Sequence, residues 1–425
     1  MTAPVRLLVA GQPLDPAAGL PPEAWSTADG APSLLPGLAS VGGRLVVVLP
    51  RCYAGAPLDP GAALERVALF VSSLARYARE RPGGRAVDDP ALATREGALV
   101  AVGDPGDLVD QVEAALLLWR DFVERGPLLV SAPRVHDQVP GRVLWPQALR
   151  DGAPVQGRTG VVFRALPRRS VRPDPRHELT DLHEATCEQI GARFGLGGAG
   201  ERPPIPPTEA LDRIERGERV CFADRPRRLL ALLRRYHAAR EASERGAEVR
   251  GLFARSYAHV WERMLQVALR DEGRGAGLRG TYRLPDGSLL PGLNLRPDVV
   301  VRDRLPDGRA VLLVLDAKDY DAGALPGTPD LGKQVLYRLL HSDLVDPQGP
   351  PLDAVGNAFL FPALVPGAGV RLRATHDLVG RPRAGRPGRV VGLEVDLEQV
   401  TEAYVSGRAA EGLRRAIVTA VFGGA

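Results

Sequence analysis

The chain has 425 residues, 44% of them hydrophobic and 25% charged, with 55 basic against 51 acidic side chains and a net charge of +4. That length predicts two domains, and that composition excludes a fibrous, collagen-like or wholly disordered polymer. The mildly basic balance permits a nucleic-acid partner without requiring one. No apolar run reaches the roughly 18 residues a membrane helix needs, and the segment Met1 to Arg6 lacks a signal-peptide layout. The expectation is a cytoplasmic protein without membrane contact. Cys52, Cys187 and Cys221 are too scattered for a zinc site or a disulfide framework and read as small buried hydrophobes.

In chain order, strands are expected at Arg6 to Ala10 and Arg44 to Leu49, and helices near Ala63 to Arg79 and Leu108 to Arg125. Clusters of Pro and Gly at 11–37, 195–208 and 347–351 read as loops or linkers. The proline-broken stretch from Arg164 to His177 is basic, and Arg168, Arg169 and Arg172 are candidates to follow a DNA backbone; a solvated loop is the alternative. Thr208 to Ala247 reads as helical. Within it, Arg225 to Arg240 forms an amphipathic helix whose basic face meets DNA or is simply the wet side of a bundle. Beyond Phe253 the order is helix, strands, hairpin, helix, a strand at Ala358 to Phe361, another at Val390 to Val395, and a final helix. That order predicts an α/β domain with a mixed sheet flanked by helices, preceded by a mixed α/β domain and a helical connector. The expected boundaries are 1–200 for the first domain, 201–250 for the connector and 251–425 for the last domain.

Two residue choices stand out. The chain writes arginine almost everywhere, yet keeps lysine at Lys318 and Lys333; its only asparagines are Asn294 and Asn357. An ammonium is a compact point charge that fits beside a water or phosphate oxygen, where a guanidinium is a rigid fork. Around Lys318, two β-branched, apolar runs flank a Pro306-Asp307-Gly308 turn, a hairpin signal. Asp298 lies nine residues before Asp307 and Asp316 nine after it, so a register centred on the turn sets the two acids opposite each other. Opposed residues have Cβ atoms about 4.5–5.5 Å apart, near enough for both carboxylates to share one cation. Period-two alternation puts Lys318 on the face of Asp316. Hard oxygen ligands of this kind suit Mg²⁺, with Mn²⁺ able to substitute, and a lysine beside such an ion can assist an attacking water. Phosphodiester hydrolysis is the chemistry these parts describe; acids that merely end two buried strands are the alternative.

The pattern Pro297-Asp298, then Asp316-Ala317-Lys318, resembles the core of the PD-(D/E)XK nuclease superfamily. Further segments narrow the resemblance to LlaJI-type restriction endonucleases and McrC-like subunits. These are Val260-Trp261-Glu262 on a helix, Pro326-Gly-Thr-Pro-Asp-Leu-Gly-Lys-Gln334 with Tyr337, and Asn357-Ala-Phe-Leu-Phe-Pro362. Weaker ones are Gly43 to Arg51, Gly141 to Trp145 and Leu182-His-Glu184. Asp319 departs from the family, which favours an uncharged aromatic after the lysine. The resemblance implies that Asp298 and Asp316 hold the metal with the Ala317 carbonyl, that Glu262 binds a second ion or orients the first, and that Lys318 assists the water. It also implies that Gln334 points at the site, with Lys333 beside it as a candidate DNA contact, while Tyr337 reads as core. His259 and His341 lack paired metal-ligand spacing. No phosphate-binding G-x-x-x-x-G-K-[ST] loop is present, so the chain carries no motor of that type. The partners that the resemblance implies are double-stranded DNA and a separate McrB-like AAA+ GTPase or ATPase, with a dimer or higher assembly left open. The implied activity is a Mg²⁺-dependent endonuclease of restriction or antiphage defence. A non-catalytic adaptor that keeps the fold, or a stand-alone RecB-like repair nuclease, are the alternatives.

Overall fold

A computed structural model describes residues 6–11, 19–26, 33–41, 44–54, 60–80, 99–102, 106–136, 142–152, 154–163, 166–174, 177–194, 202–219, 221–245, 249–271, 278–284, 288–320, 323–343, 352–367, 369–378 and 388–423. About half of the loop-forming clusters expected at 11–37 and 195–208, and all of that at 347–351, lie outside these residues, as do the side chains of Arg169, Arg172 and His341. Two compact units emerge, one spanning Gly106–Ala247 and the other joining Val5–Pro105 to Glu248–Ala425.

The joined unit begins with β1 (Arg6–Val9), a short pair β2 (Trp25–Ser26) and β3 (Ser33–Leu34), β4 (Gly37–Val41), β5 (Arg44–Leu49), α1 (Pro60–Glu80) and β6 (Leu99–Val102). β5 runs parallel to β1, and its Leu45 to Leu49 are buried throughout. A continuous apolar run of this kind marks a strand covered on both faces.

The unit from Gly106 holds α2 (Gly106–Arg125), β7 (Val130–His136), β8 (Arg142–Val143), α3 (Trp145–Asp151), β9 (Pro154–Gly157), β10 (Gly160–Phe163), β11 (Arg168–Asp174), α4 (Glu178–Phe194), α5 (Pro207–Glu218) and α6 (Asp224–Arg245). Its core is built by Leu118, Leu182, Ile190, Ile214, Leu229 and Leu233, drawn from all the longer helices. The helices expected to form a connector over 201–250 are therefore part of this core, because α5 and α6 bury their apolar stripes against α2 and α4. The basic face of α6 meets acids of its own bundle. Arg225 and Arg228 reach Asp121 at 2.8 and 2.7 Å, Arg234 reaches Glu218 at 2.6 Å, and Arg235 reaches Asp110 and Glu113 at 2.7 Å. The basic segment, expected as a DNA contact or a solvated loop, is largely strand β11, paired with β7 from Arg168↔His136 to Asp174↔Val130. Pro173 is accommodated because β8 pairs only at Arg168 and Arg169, leaving that end of β11 as an edge.

The chain then returns to the first sheet. β12 (Val249–Ala254) inserts between β4 and β6, giving the order β1-β5-β4-β12-β6. This non-local pairing makes residues 6–102 partners of the C-terminal part and cuts across the linear boundaries expected at 200 and 250. After it come α7 (Tyr257–Ala268), an antiparallel pair β13 (Leu278–Arg283) and β14 (Leu289–Leu295), β15 (Val299–Arg304), β16 (Ala310–Ala317), α8 (Thr328–Asp343), β17 (Ala354–Ala363), β18 (Val370–Leu378), β19 (Gly388–Asp396), α9 (Leu397–Ser406) and α10 (Glu411–Phe422). The expected final helix is thus two.

Five of these strands form a mixed sheet in the order β15-β16-β17-β19-β18, antiparallel at both edges and parallel at β16, β17 and β19. Val311 to Leu315 on β16 are all buried, as a central parallel strand requires. Helix α8 covers one face, with Tyr337 against Leu312 and Val314. Helix α10 covers the other at Gly356, where a Cβ would fall 2.5 Å from Val421. The expected restriction-endonuclease-like mixed sheet flanked by helices is this sheet.

Candidate active site at the β15–β16 hairpin

The hairpin sets the site. Gly308 takes φ +88°, a value that glycine adopts without strain, and its N–H donates to Leu305 O at 2.9 Å. The turn fixes the pairing Val299↔Leu315 through Arg304↔Ala310. The same register continued by one residue sets Asp298 opposite Asp316, as the symmetry about Asp307 requires. Pro306 introduces no bulge. Asp298 Oδ2 accepts the Ala317 N–H at 2.8 Å, which pins its carboxylate to the partner strand.

Glu262 arrives from α7. Trp261 beside it is fully buried and donates Nε1–H to Leu360 O at 3.0 Å, locking α7 to β17. Glu262 is itself buried, which answers whether it faces solvent. Gln266, one turn on, donates from Nε2 to Glu262 Oε1 at 3.1 Å and to Asp298 O at 3.0 Å, tying the helix acid to the start of β15.

Lys318 follows β16, where its N–H donates to Leu360 O at 3.0 Å and extends the parallel ladder. Its Nζ lies 2.8 Å from Asp316 Oδ2 and 2.8 Å from Asp330 Oδ1. The contact with Asp316 is an ion pair without hydrogen-bond alignment, whereas Asp330 receives an aligned hydrogen bond. Asp330 Oδ2 also accepts from the Tyr320 hydroxyl at 2.6 Å.

The electrostatics follow from this crowding. Burial, then the charges of Asp316 and Glu262, hold the Asp298 carboxyl well above the ordinary range. Burial likewise raises Asp316, with Lys318 opposing and Asp330 adding to the rise. Burial works against the Lys318 ammonium, but Asp316 and Asp330 outweigh it and raise its pKa. Glu262, Asp298, Asp316 and Lys318 thus form one interacting group. Among the described residues, no three His, Cys, Asp or Glu side chains are arranged to hold an ion by themselves. The donor set is instead two facing carboxylates, short of positive charge, with a buried Asp316 oxygen that lacks an aligned donor. Such hard oxygen donors fit Mg²⁺ or Mn²⁺, which take one or two carboxylates and complete their shell with water and phosphate.

Gln334 lies fully buried on α8, but its amide oxygen accepts from Asn357 Nδ2 at 2.7 Å rather than reaching an acid. Its Nε2 is buried without a partner. Tyr337 is core, its hydroxyl donating to Arg296 O at 2.9 Å. Lys333 is exposed, and its charge is felt at Asp316 and Asp330. Arg168 is half-buried on β11. Sequence reasoning missed Asp330, Tyr320 and Gln266 as neighbours of the acids, although Asn357 was signalled as one of two asparagines. Away from this site, Cys187 Sγ lies 3.6 Å from His183 Nε2. Both are fully buried; burial raises the thiol and lowers the imidazole to about 4, so this pair is core.

No curated protein matches the chain. Among solved structures, a half-complex from a tetradecameric assembly of Thermococcus gammatolerans McrB AAA+ hexamers with bound McrC is 15% identical, with 89% of this chain and 83% of that one covered and a TM-score of 0.29. The McrBC complex of the same organism is 17% identical over 55% of this chain and 66% of that one, with a TM-score of 0.20. The profile of the LlaJI restriction endonuclease family matches residues 88–366, more than half of the sequence and all of the segment from Glu262 to Gln334. The chain therefore belongs to the LlaJI restriction endonuclease family, nucleases of restriction systems.

Proposed function

We propose that the chain is a Mg²⁺-dependent DNA endonuclease with a PD-(D/E)XK site on the β15–β16 hairpin. The observation that carries this reading is the pair Asp298 and Asp316, set face to face and both held toward the protonated form, with Lys318 at 2.8 Å from one of them. A fold does not bury two repelling carboxylates for its own stability. Asp298, Asp316 and the Ala317 carbonyl would hold the ion, and Glu262, kept in place by Gln266, would orient it or hold a second. A bound Mg²⁺ or Mn²⁺ supplies Lewis acidity and makes a bound water more acidic. Lys318 donates to the attacking water or to a non-bridging phosphate oxygen, stabilising charge that develops there. Gln334, whose buried Nε2 has no hydrogen-bond partner, is proposed as a further donor. Lys333 and the β11 arginines Arg168, Arg169 and Arg172 are the proposed contacts to double-stranded DNA.

The proposed setting is restriction or antiphage defence in the cytoplasm, with a separate McrB-like AAA+ GTPase or ATPase as partner. The partner rests on the sequence resemblance alone. Among the described residues, no helix is long and apolar enough to cross a membrane. The test is cleavage of supercoiled plasmid, methylated and unmethylated, by wild type and Lys318→Ala with Mg²⁺, alone and with an McrB-like NTPase. Nicking or linearisation by wild type only is expected. Equal cutting by Lys318→Ala, or none by wild type in any mixture, sinks the reading.

A further inference from the structure

Beyond the acids and lysine of the motif, the site contains Asp330, a carboxylate whose two oxygens each accept a hydrogen bond. Asp330 sits in the first turn of α8, reached through a loop, twelve residues after Lys318. One carboxylate oxygen takes the Lys318 ammonium at 2.8 Å and the other takes the Tyr320 hydroxyl at 2.6 Å. Its own N–H donates to Gly327 O at 3.1 Å, which fixes its backbone, and the positive end of a helix favours a carboxylate there. The Lys318 side chain is only 15% exposed, and its Nζ lies 5.8 Å from the Phe359 ring centre and 6.0 Å from that of Tyr320. Of its three N–H donors, one is committed to Asp330 and one faces Asp316.

A dication on Asp298 and Asp316 changes the balance at Lys318. It cancels the attraction of Asp316 for the ammonium and repels the ammonium directly. Asp330 keeps its full charge, because Tyr320 and the helix end hold it to one side. We propose that Asp330, oriented by Tyr320, is a positioning residue that retains the Lys318 ammonium beside the attacking water and the phosphate once the metal is bound. The proposal rests on the nuclease reading and deepens it: the working unit is Asp298, Asp316, Lys318 and Asp330. The chain's lysine economy fits this role, since a single point charge can be shared between two carboxylates and still offer a third donor.

The experiment is a double-mutant cycle on the full chain, under whichever plasmid cleavage condition above is active, with DNA affinity measured in parallel. Asp330→Asn is expected to slow cleavage by about 10- to 100-fold, the usual loss when a residue holding a reactive group is removed, with DNA affinity within about 2-fold of wild type. Tyr320→Phe is expected to lose less. Lys318→Ala combined with Asp330→Asn is expected to be no slower than Lys318→Ala alone, because Asp330 acts only through Lys318. A second readout needs no turnover. The chain has two lysines, so reductive methylation followed by peptide mass spectrometry reports Lys318 against exposed Lys333 as its internal standard. Asp330→Asn is expected to raise the Lys318 to Lys333 labelling ratio at least 5-fold. Losses that multiply in the double variant, or an unchanged labelling ratio, overturn the positioning role. Full activity in Asp330→Asn overturns it while leaving the nuclease reading intact. A wild type that cuts nothing overturns the nuclease reading and this proposal with it.

Discussion

Asp121 and Asp316 are buried to the same degree, 6% exposed, yet the chain treats them in opposite ways. Asp121 on α2 receives Arg225 at 2.8 Å and Arg228 at 2.7 Å; burial raises its carboxyl, and the two arginines more than reverse the effect. Burial and then Asp330 raise the Asp316 carboxyl, and Lys318, which it shares with Asp330, does not reverse the effect. The first acid has been neutralised by its own helix bundle. The second has been left short of positive charge on β16, a strand paired on both sides. Burial therefore does not distinguish a structural acid from a site acid; what distinguishes them is whether the surrounding chain completes the charge balance.

The strongest way to break this comparison is to neutralise each acid in turn. Asp316→Asn is expected to reduce plasmid cleavage by about 100- to 1000-fold, in the range seen when a principal stabiliser of transition-state charge is removed. Its melting temperature, measured without metal, should hold or rise, because a repelling buried charge has gone. A clear fall in melting temperature would mean that Asp316 is structural after all. Asp121→Asn should do the reverse. It leaves two arginines without their charged acceptor and is expected to lower unfolding free energy by about 2–3 kcal/mol in urea titrations. Cleavage per folded molecule should not change. Similar stability losses in both variants would erase the distinction.

The sequence makes the β15–β16 hairpin legible because everything that sets it is local. The Pro306-Asp307-Gly308 turn fixes the register, and the equal spacing of Asp298 and Asp316 from its centre does the rest. Glu262 is legible more weakly, through its place beside Trp261 on an apolar helix stripe. Pairings across long separations leave no such trace. β12 joins Gly251 to Ala39 on one side and Val102 on the other, and nothing in its own residues names those partners. β18 alternates polar and apolar residues, a strand signal that the expected element order leaves out, and it carries a register shift between Leu372 and Ala374. Asp330 escaped for the same reason as β12: its link to Lys318 runs through a loop whose path no local periodicity encodes. The basic face of α6 was visible, but its meaning was not, because the deciding acids Asp110, Glu113, Asp121 and Glu218 lie on other helices.

The smallest expected effect sharpens the comparison through its sign. Asp121 has a folded pKa below its unfolded value, so it stabilises the fold above the ordinary aspartate value of about 3.9 and loses that contribution as pH falls through the folded value. Asp298 has a folded pKa well above its unfolded value. Its protonated form is the one the metal-free fold prefers, so its contribution is present below about pH 3.9 and is lost as pH rises through the raised folded value. Urea midpoints of the metal-free chain should therefore decline over the range above about pH 4 by an amount that Asp298→Asn removes, since each titrating group changes the slope by at most one proton. Asp121→Asn should leave that decline in place and instead flatten the loss of stability in stronger acid. Mg²⁺ added at the upper end of the range should restore the wild-type midpoint and leave Asp298→Asn almost unmoved, because ligand binding stabilises only a chain that keeps its ligands. Parallel midpoint curves for wild type and Asp298→Asn, with or without Mg²⁺, would show that the charge at the hairpin is balanced in some other way and that the two acids are not the opposites their surroundings make them.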